Sequence, residues 1–431
     1  MKILMVTMQF GRAYTQGTER SVATLVEGLR RRGHEMTVLG GDPLRVRPAV
    51  RLGEAVSGER GLLAYPTRGW MSVLGLPPRD LRGVLRQVQP DVVHLNSPAH
   101  IGIGIMGACR GLGIPCVVTV HDHWWVCPKG TLLRSDGVIC DGTPGWSTCV
   151  RCIAGDRSRT CLRRLASLGI IVSPLLMKMY GTRALLRGMS IADMWRWMHR
   201  QTYLIGQLDR ADYVVFPSKA TGEIVASRLT HRRWSVVPNG LTPEWFENPR
   251  VARREMATPE GLTLGFSGSV AEHKAPHLLL EAVRLLGWAK TRVRVAATAT
   301  DAAYEARLRR AAEGLNVEFA GRLSPERMPA FLRTLDILAM TSTWPENYPY
   351  AVLEAQAAGV TVVGSRVGGV VEMIEEERLL FEPGSAQDLA AAIEFARCNP
   401  VVGRPARVAT AQEMTDTLEG IYEQIVRARV R

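Results

Sequence analysis

Short apolar runs alternate with amphipathic stretches along almost the whole chain. Lys2 to Thr7 (KILMVT) has the length and composition of a buried strand. Glu19 to Arg32 carries Val22, Leu25, Val26 and Leu29 on one helical face, and Gly33 closes it. Met36 to Leu39 is the next strand. Strand, polar loop, helix, strand is the opening of a doubly wound parallel sheet. Further strands are predicted at Leu62 to Tyr65, Asp91 to Leu95 (DVVHL), Pro115 to Val120 (PCVVTV), Asp212 to Pro217 and Ser235 to Pro238. Helices are predicted at Ile101 to Leu112 and after Ser218, which suits an N-cap. A second series begins near Leu262. Its strands are Thr263 to Ser267, Arg292 to Ala297, Val317 to Ala320, Ile337 to Ala339 and Thr361 to Gly364, with Gly268 to His273 as a loop. Helices follow His277, Ala302, Met328 and Ala351, and a last one runs from about Thr410 to Arg427. The pattern is α/β throughout.

A chain of 431 residues, 46% of them hydrophobic, predicts two or three domains with full cores. With 22% charged residues and no low-complexity tract, disorder does not dominate. The net charge of +13 implies an anionic partner: nucleic acid, an anionic membrane surface or an anionic substrate. Interleaved basic and aromatic signatures of nucleic-acid binding are missing, so no nucleic-acid partner is expected. No apolar run reaches the roughly 18 residues of a spanning helix, and the basic-then-apolar N-terminus reads as a strand. A cytoplasmic location is expected, with peripheral contact at the inner membrane face as an addition.

That addition rests on Arg151 to Arg210, which holds eleven basic and three acidic residues. Leu185, Leu186, Met189, Met194, Trp195 and Met198 form an apolar helical face flanked by Arg183, Arg187, Arg196 and Arg200. Such a helix suits an anionic bilayer. Packing on its own domain with a solvated basic face is the commoner use of the pattern and is preferred.

Cysteines crowd the segment before it. Cys127, Cys140, Cys149, Cys152 and Cys161 fall between Trp125 and Leu162, in loops rich in Gly, Pro and Asp. Cys149-x2-Cys152 has tight ligand spacing, and Cys127 and Cys140 complete a four-thiolate set, with Cys161 or His123 as alternates. A structural zinc would order such a core-poor stretch. An iron–sulfur cluster uses the same ligand type.

The stretch Trp344 to Gly359 (WPENYPYAVLEAQAAG) carries the most chemistry. Asn347 to Tyr350 reads as a turn, and a helix starts at Ala351. The outward N–H groups of its first turn suit a phosphate. Glu346 before the helix and Glu354 one turn inside it offer carboxylates to sugar hydroxyls. An anion cradle beside two such carboxylates suggests a nucleotide sugar.

Glu346 and Glu354 form an E-x7-E motif. Inside this loop-helix, and followed by TVVGSRVGGVVEMI, it resembles that of the retaining glycosyltransferases of family 4 (group 1). The resemblance extends from Met1 to the last helix. It implies a GT-B fold: α/β, two Rossmann-like domains facing a central cleft. It places an acceptor domain at 1–215 with a Cys-rich insert at 123–162, a nucleotide-sugar-binding domain at 216–409, and a helix at 410–431 returning to the first domain. The linker would lie near Val236 to Gly240.

The resemblance also implies site residues. His121, in the His121-Asp122 pair after a strand, would line the active site near the donor sugar. Gly268 and Lys274 match the phosphate-loop pattern, with Ser269 where an Arg is usual and Ala275 where a Gly is usual. Arg322 and Arg366 are candidates for the missing cation. Gly321-Arg322 would pack against the nucleobase. Gly17-Thr18 match a glycine pair near donor and acceptor, Thr18 replacing the second Gly. Glu354 would bind the ribose. Glu346, with Asn347 and Tyr348, would hold the sugar, and Lys274 would stabilise the leaving diphosphate.

The expected activity is a retaining, metal-independent hexosyl transfer from a UDP- or GDP-sugar to a glycan or lipid-linked acceptor, in cell-surface polysaccharide or glycoconjugate synthesis. The alternatives are a non-catalytic nucleotide-sugar-binding partner of another transferase, a nucleotide-sugar epimerase of the same fold, and, on charge alone, an anion-binding membrane-surface protein.

Overall fold

The computed structural model describes residues 1–8, 10, 16–42, 62–66, 81–98, 102–145, 148–149, 151–152, 199–247, 261–288, 290–299, 301–400 and 408–430. Cys161 and the amphipathic segment from Arg183 to Met198 lie outside them.

The chain divides into two compact units. The first comprises residues 1–217, 221–237 and 415–431, and the second 218–220 and 238–414.

In the first unit, strands β1 (Lys2–Thr7), β2 (Glu35–Asp42), β3 (Leu62–Pro66), β4 (Val92–Leu95), β5 (Cys116–Thr119), β6 (Tyr213–Phe216) and β7 (Trp234–Val236) form one sheet in the order β3-β2-β1-β4-β5-β6-β7. Every pairing is parallel: Ile3 faces Met36 on one side and Val92 on the other. A parallel sheet is covered on both faces, so its strands are apolar without alternation. Leu4, Val6, Val93, Leu95, Val118 and Phe216 are fully buried, as that rule requires. The helix expected from Ile101 starts at Gly104, because Gly102 sits at φ +92°, which a helix cannot contain.

The second unit repeats the plan. Strands β8 (Thr263–Val270), β9 (Arg292–Ala299), β10 (Val317–Phe319), β11 (Ile337–Met340), β12 (Thr361–Ser365) and β13 (Leu380–Phe381) lie in the order β10-β9-β8-β11-β12-β13, all parallel. β8 runs three residues past its expected end at Ser267. Gly268, Ser269 and Val270 pair with Ala297, Thr298 and Ala299, so the backbone ladder continues through small and polar side chains that read as loop. The helix after Ala302 stops at Ala311 rather than Leu315, ahead of Gly314 at φ +78°.

The terminal helix, Ala411–Val430, joins the first unit from Thr415 onward. A methyl group on Gly28 would stand 2.5 Å from Thr415 Oγ1, so the two helices touch where only hydrogen fits. Arg32 and His34 both reach Glu419, at 2.5 and 2.6 Å, and Arg429 reaches Asp212 at 2.9 Å. The buried Tyr422 hydroxyl meets His94 Nδ1 at 2.6 Å, and His94 Nε2 meets Thr119 Oγ1 at 2.7 Å. Among the described residues no helix is long and apolar enough to cross a membrane.

Burial pushes His94 down to about 3 and His121 down to about 4, below the roughly 6.5 of a free imidazole. The unfolded chain therefore takes up protons near pH 6.5 that the folded chain refuses until about pH 4 and 3. Their contribution to stability is complete above pH 6.5 and declines as pH falls, by about 1.4 kcal/mol per pH unit for each group. Glu19, pushed upward by burial, opposes this at acid pH. Denaturant unfolding at pH 7 and pH 5 is expected to show a loss at the lower pH of up to about 4 kcal/mol, the sum of the two imidazoles before the opposing carboxylate is counted. Equal stability at both would contradict neutral burial of these imidazoles.

Candidate functional site

Ligands bind open parallel sheets outside the carboxyl ends of the strands, at the point where the strand order reverses. In the second unit that point lies between β8 and β11. The expected donor-binding residues of this unit follow strand ends on that edge or lie beside them.

After β8 the chain makes a short 3-10 turn, Glu272–Lys274, ending at Ala275. Ala275 adopts φ +47°, ψ +46°. That left-handed conformation explains why glycine suits the position, and an alanine holds it at modest strain. The turn is stapled to the segment leaving β11. Thr341 Oγ1 donates to the Lys274 carbonyl at 2.7 Å, and Thr343 N–H donates to the His273 carbonyl at 2.9 Å. Two residues 72 positions apart are thereby brought together: Lys274 Nζ donates to Glu346 Oε1 at 2.5 Å.

Glu346 is 5% exposed. Its Oε1 also accepts from Ser342 Oγ at 2.5 Å and Trp344 Nε1 at 2.7 Å. Three donors on one oxygen fix the carboxylate's orientation, one of them carrying a full charge. The Lys274 ammonium lies 5.0 Å from the Trp344 ring centroid, and His273 meets the same ring edge-on. Ser342 and Trp344 were not among the expected site residues. Their signal was present, as a hydroxyl and an indole N–H four and two positions before a buried carboxylate.

The backbone at Glu346 is held from the far side. Gly369 N–H donates to the Glu346 carbonyl at 2.8 Å. A Cβ on Gly368 would meet that carbonyl oxygen at 2.2 Å, and one on Gly369 would meet the Asn347 oxygen at 1.8 Å. The glycine pair after β12 is therefore a steric seat for the Glu346–Asn347 peptide. Asn347 Oδ1 accepts from Ser218 Oγ at 2.9 Å. The Tyr348 carbonyl accepts from Asn239 Nδ2 at 3.4 Å, and burial pushes the Tyr348 phenol up to about 12.

The following helix is Tyr350–Ala357, one residue earlier than expected, because Pro349 is extended and forms the N-cap. Glu354, one turn in, is 2% exposed. Gly268 ends exposed on the β8 edge and Ser269 half-buried beside it. Gly321 turns at φ +69° after β10, leaving Arg322 exposed. Arg366 does not serve the phosphate loop: it is ion-paired to Glu377 at 2.5 Å and Glu382 at 3.1 Å.

In the first unit the order reverses between β1 and β4. Gly17 opens the helix after β1, with half-buried Thr18 next to it. Asn96 follows β4 and His121 follows β5. His121 Nε2 meets Asn96 Oδ1 at 3.0 Å, while Asn96 Nδ2 donates to the His94 carbonyl at 3.3 Å. The amide oxygen accepts only, so Nε2 carries the proton and Nδ1 of a neutral ring is an acceptor. Asn96 was missed, although a polar residue at a buried strand's end is the same signal that marked His121.

Among the described residues no three His, Cys, Asp or Glu side chains already stand in ion-holding geometry. Cys127, Cys140, Cys149 and Cys152 nevertheless line one pocket of the first unit, with no disulfide among them. His123, one of the alternates, does not line it.

Residues 15–140 match the family described as Glycosyltransferase Family 4, and residues 261–397 match Glycosyl transferases group 1. A GDP-mannose-dependent alpha-mannosyltransferase of Mycolicibacterium smegmatis is 41% identical over 106 residues, 23% of this chain and 27% of its own length. The sulfoquinovosyl transferase SQD2 of Arabidopsis thaliana is 24% identical over 92% of this chain and 68% of its own. Among solved structures, the Anabaena protein HepE in complex with UDP and glucose superposes over 100% of this chain and 97% of its own, at TM-score 0.56 and 16% identity. The two-domain parallel α/β fold is of the GT-B type, and each unit carries a glycosyltransferase family segment.

Proposed function

We propose that this chain, with glycosyltransferase segments of family 4 and group 1 in its two units, moves a sugar from a nucleoside diphosphate donor to a glycan or lipid-linked acceptor with retained configuration. The observation that carries the proposal is the Lys274–Glu346 pair at the strand reversal of the second sheet. It sets one cation and one fixed carboxylate side by side, which suits a diphosphate and a polyhydroxylated ring.

In this reading Glu354 accepts from the ribose hydroxyls. Glu346, Asn347 and Tyr348 orient the sugar. Gly268, Ser269 and the N–H groups opening the helix at Tyr350 receive phosphate oxygens, and Gly321 and Arg322 border the base. The glycosidic C–O bond to the diphosphate breaks while the acceptor oxygen bonds to the same face of the anomeric carbon. The acceptor's proton passes to the leaving phosphate oxygen. Lys274 meets the charge that develops there, so the leaving group is served by a protein cation in place of a catalytic metal. His121, neutral at pH 7, presents an uncharged hydrogen-bonding group after β5 in the first unit's own sheet. A UDP- or GDP-sugar fits the names of the relatives, and polysaccharide or glycoconjugate synthesis at the cytoplasmic membrane face is the setting consistent with a lipid-linked acceptor.

The test is stereochemical. With a hydrolysable donor and no acceptor, water takes the sugar slowly. Proton NMR of the first sugar released is expected to show the donor's own anomeric configuration. Initial release of the opposite anomer contradicts a retaining mechanism.

A further inference from the structure

We propose that Cys127, Cys140, Cys149 and Cys152 bind one zinc ion as a tetrathiolate, with Arg200 and Arg228 as its outer-shell cations. The inference stands on the first unit alone and is independent of the proposed transfer reaction.

The four thiols line a single pocket of about 340 Å³, together with Leu132 and Pro144. Each is partly exposed to it, and all four are reduced. Their spacing is long, long, then two residues, so Cys149 and Cys152 form a chelating pair and the other two arrive from separate loops. Cys127 follows the 3-10 turn His123–Trp125. Cys140 follows a small hairpin bridged at Leu133 and Ile139, and its sulfur already accepts from Gly142 N–H at 3.4 Å.

The loops of Cys127 and Cys140 are tied to the first unit by Cys140 N–H donating to the Leu132 carbonyl at 2.7 Å and by Gln201 Nε2 reaching the Val126 carbonyl. Trp125, Val126 and Leu132 are buried, but Val138 and Ile139 are among the most exposed large apolar residues described. One ion shared by four sulfurs would tie the Cys149–Cys152 pair to these two loops.

The second observation is the pair of guanidiniums. Arg200 is 7% exposed and lies 4.4 Å from the Trp124 ring centroid. One of its nitrogens donates to the Trp124 carbonyl, but Nε and Nη1 are buried with no hydrogen-bond partner. Arg228 donates to the Asp141 carbonyl at 3.2 Å, and its Nη1 is likewise buried without a partner. Arg228 closes on the same loop: a Cβ on Gly142 would stand 3.2 Å from that nitrogen. Buried cationic donors without acceptors are costly unless an anion completes them. Asp122 and Asp141 lie within electrostatic reach of Arg200 and Arg228, and the thiolates of a zinc centre would add negative charge beside them. Zn²⁺ displaces four protons from four thiols and leaves a centre of net charge −2, which two guanidiniums match. Outer-shell donors of this kind tune metal affinity.

The full-length protein, purified without chelators from zinc-supplied medium, is expected to hold one zinc per chain by elemental analysis. A mercurial titration of the wild type should release that zinc as four thiols are consumed. The double variant Cys149→Ser/Cys152→Ser should lose the zinc, and Cys398→Ser, at an exposed thiol elsewhere, should keep it. Arg228→Met should keep one zinc but yield it to a competing chelator about 10-fold more readily. Metal-free protein with four freely alkylated thiols overturns the proposal. So does iron with acid-labile sulfide, which replaces zinc by a cluster. The metal content and thiol titration of the wild type decide between these outcomes even if the double variant does not fold.

Discussion

Replacing Lys274 by Met is expected to lower kcat by about 10²–10³-fold, with a smaller change in KM. Methionine keeps most of the stem and removes the ammonium, which lies 5.0 Å from the Trp344 ring centroid. The charge is most valuable where negative charge grows, on the diphosphate oxygen that leaves the sugar. Loss of an interaction made in the transition state falls on kcat. A second consequence follows at Glu346. Its Oε1 retains Ser342 and Trp344 as donors but loses the only cation that the described contacts give it. The carboxylate keeps its orientation, so donor binding should weaken less than turnover. Steady-state rates across donor concentrations check this. A fall in kcat of less than about fivefold would remove Lys274 from the chemistry.

Gly369→Ala is expected to destabilise the protein by about 3 kcal/mol or more and to reduce activity to below about 1% of wild type. The added methyl would stand 1.8 Å from the Asn347 carbonyl oxygen and 3.0 Å from Ser218 Cβ. Neither neighbour is the end of a flexible side chain, so the backbone must move. That backbone carries Glu346 and Asn347, and the Gly369 N–H bond to the Glu346 carbonyl would go with it. Gly420 provides the control. It lies in the terminal helix with nothing within 4 Å of a built Cβ, so Gly420→Ala should be stabilising by about 0.5–1 kcal/mol. Urea unfolding and activity of the two variants, measured together, separate a local clash from a general intolerance of alanine.

Much of the architecture was legible because parallel strands must be apolar on both faces. KILMVT, DVVHL and CVVT stand out from any helical pattern, and each is a buried strand. The ends of elements were less legible. β8 continues through Gly268 and Ser269 because the β9 backbone pairs with it, and a backbone ladder leaves no trace in side-chain polarity. Within the candidate site, Glu346 and Glu354 carried a local signal, two carboxylates around a helix start. The contact between Lys274 and Glu346 carried none. It depends on threonine staples from Thr341 and Thr343 to a loop some 70 residues earlier. The role of Gly368 and Gly369 was hidden for the same reason. A glycine read in sequence suggests a turn, whereas here the missing side chain is room for a peptide from another strand's loop. The left-handed Ala275 shows the converse: the glycine demanded by that turn is absent, and its conformation persists at a small cost.

The most direct test of the account is thermal unfolding of the wild type and of Glu354→Ala with UDP, GDP or ADP. A donor site on the second sheet predicts a clear rise in melting temperature with one of these nucleotides, since ligands that bind only the folded state stabilise it by mass action. The same nucleotide should shift the Glu354→Ala variant little or not at all. No shift with any nucleotide, or an equal shift in the variant, would contradict a donor site built around Lys274, Glu346 and Glu354.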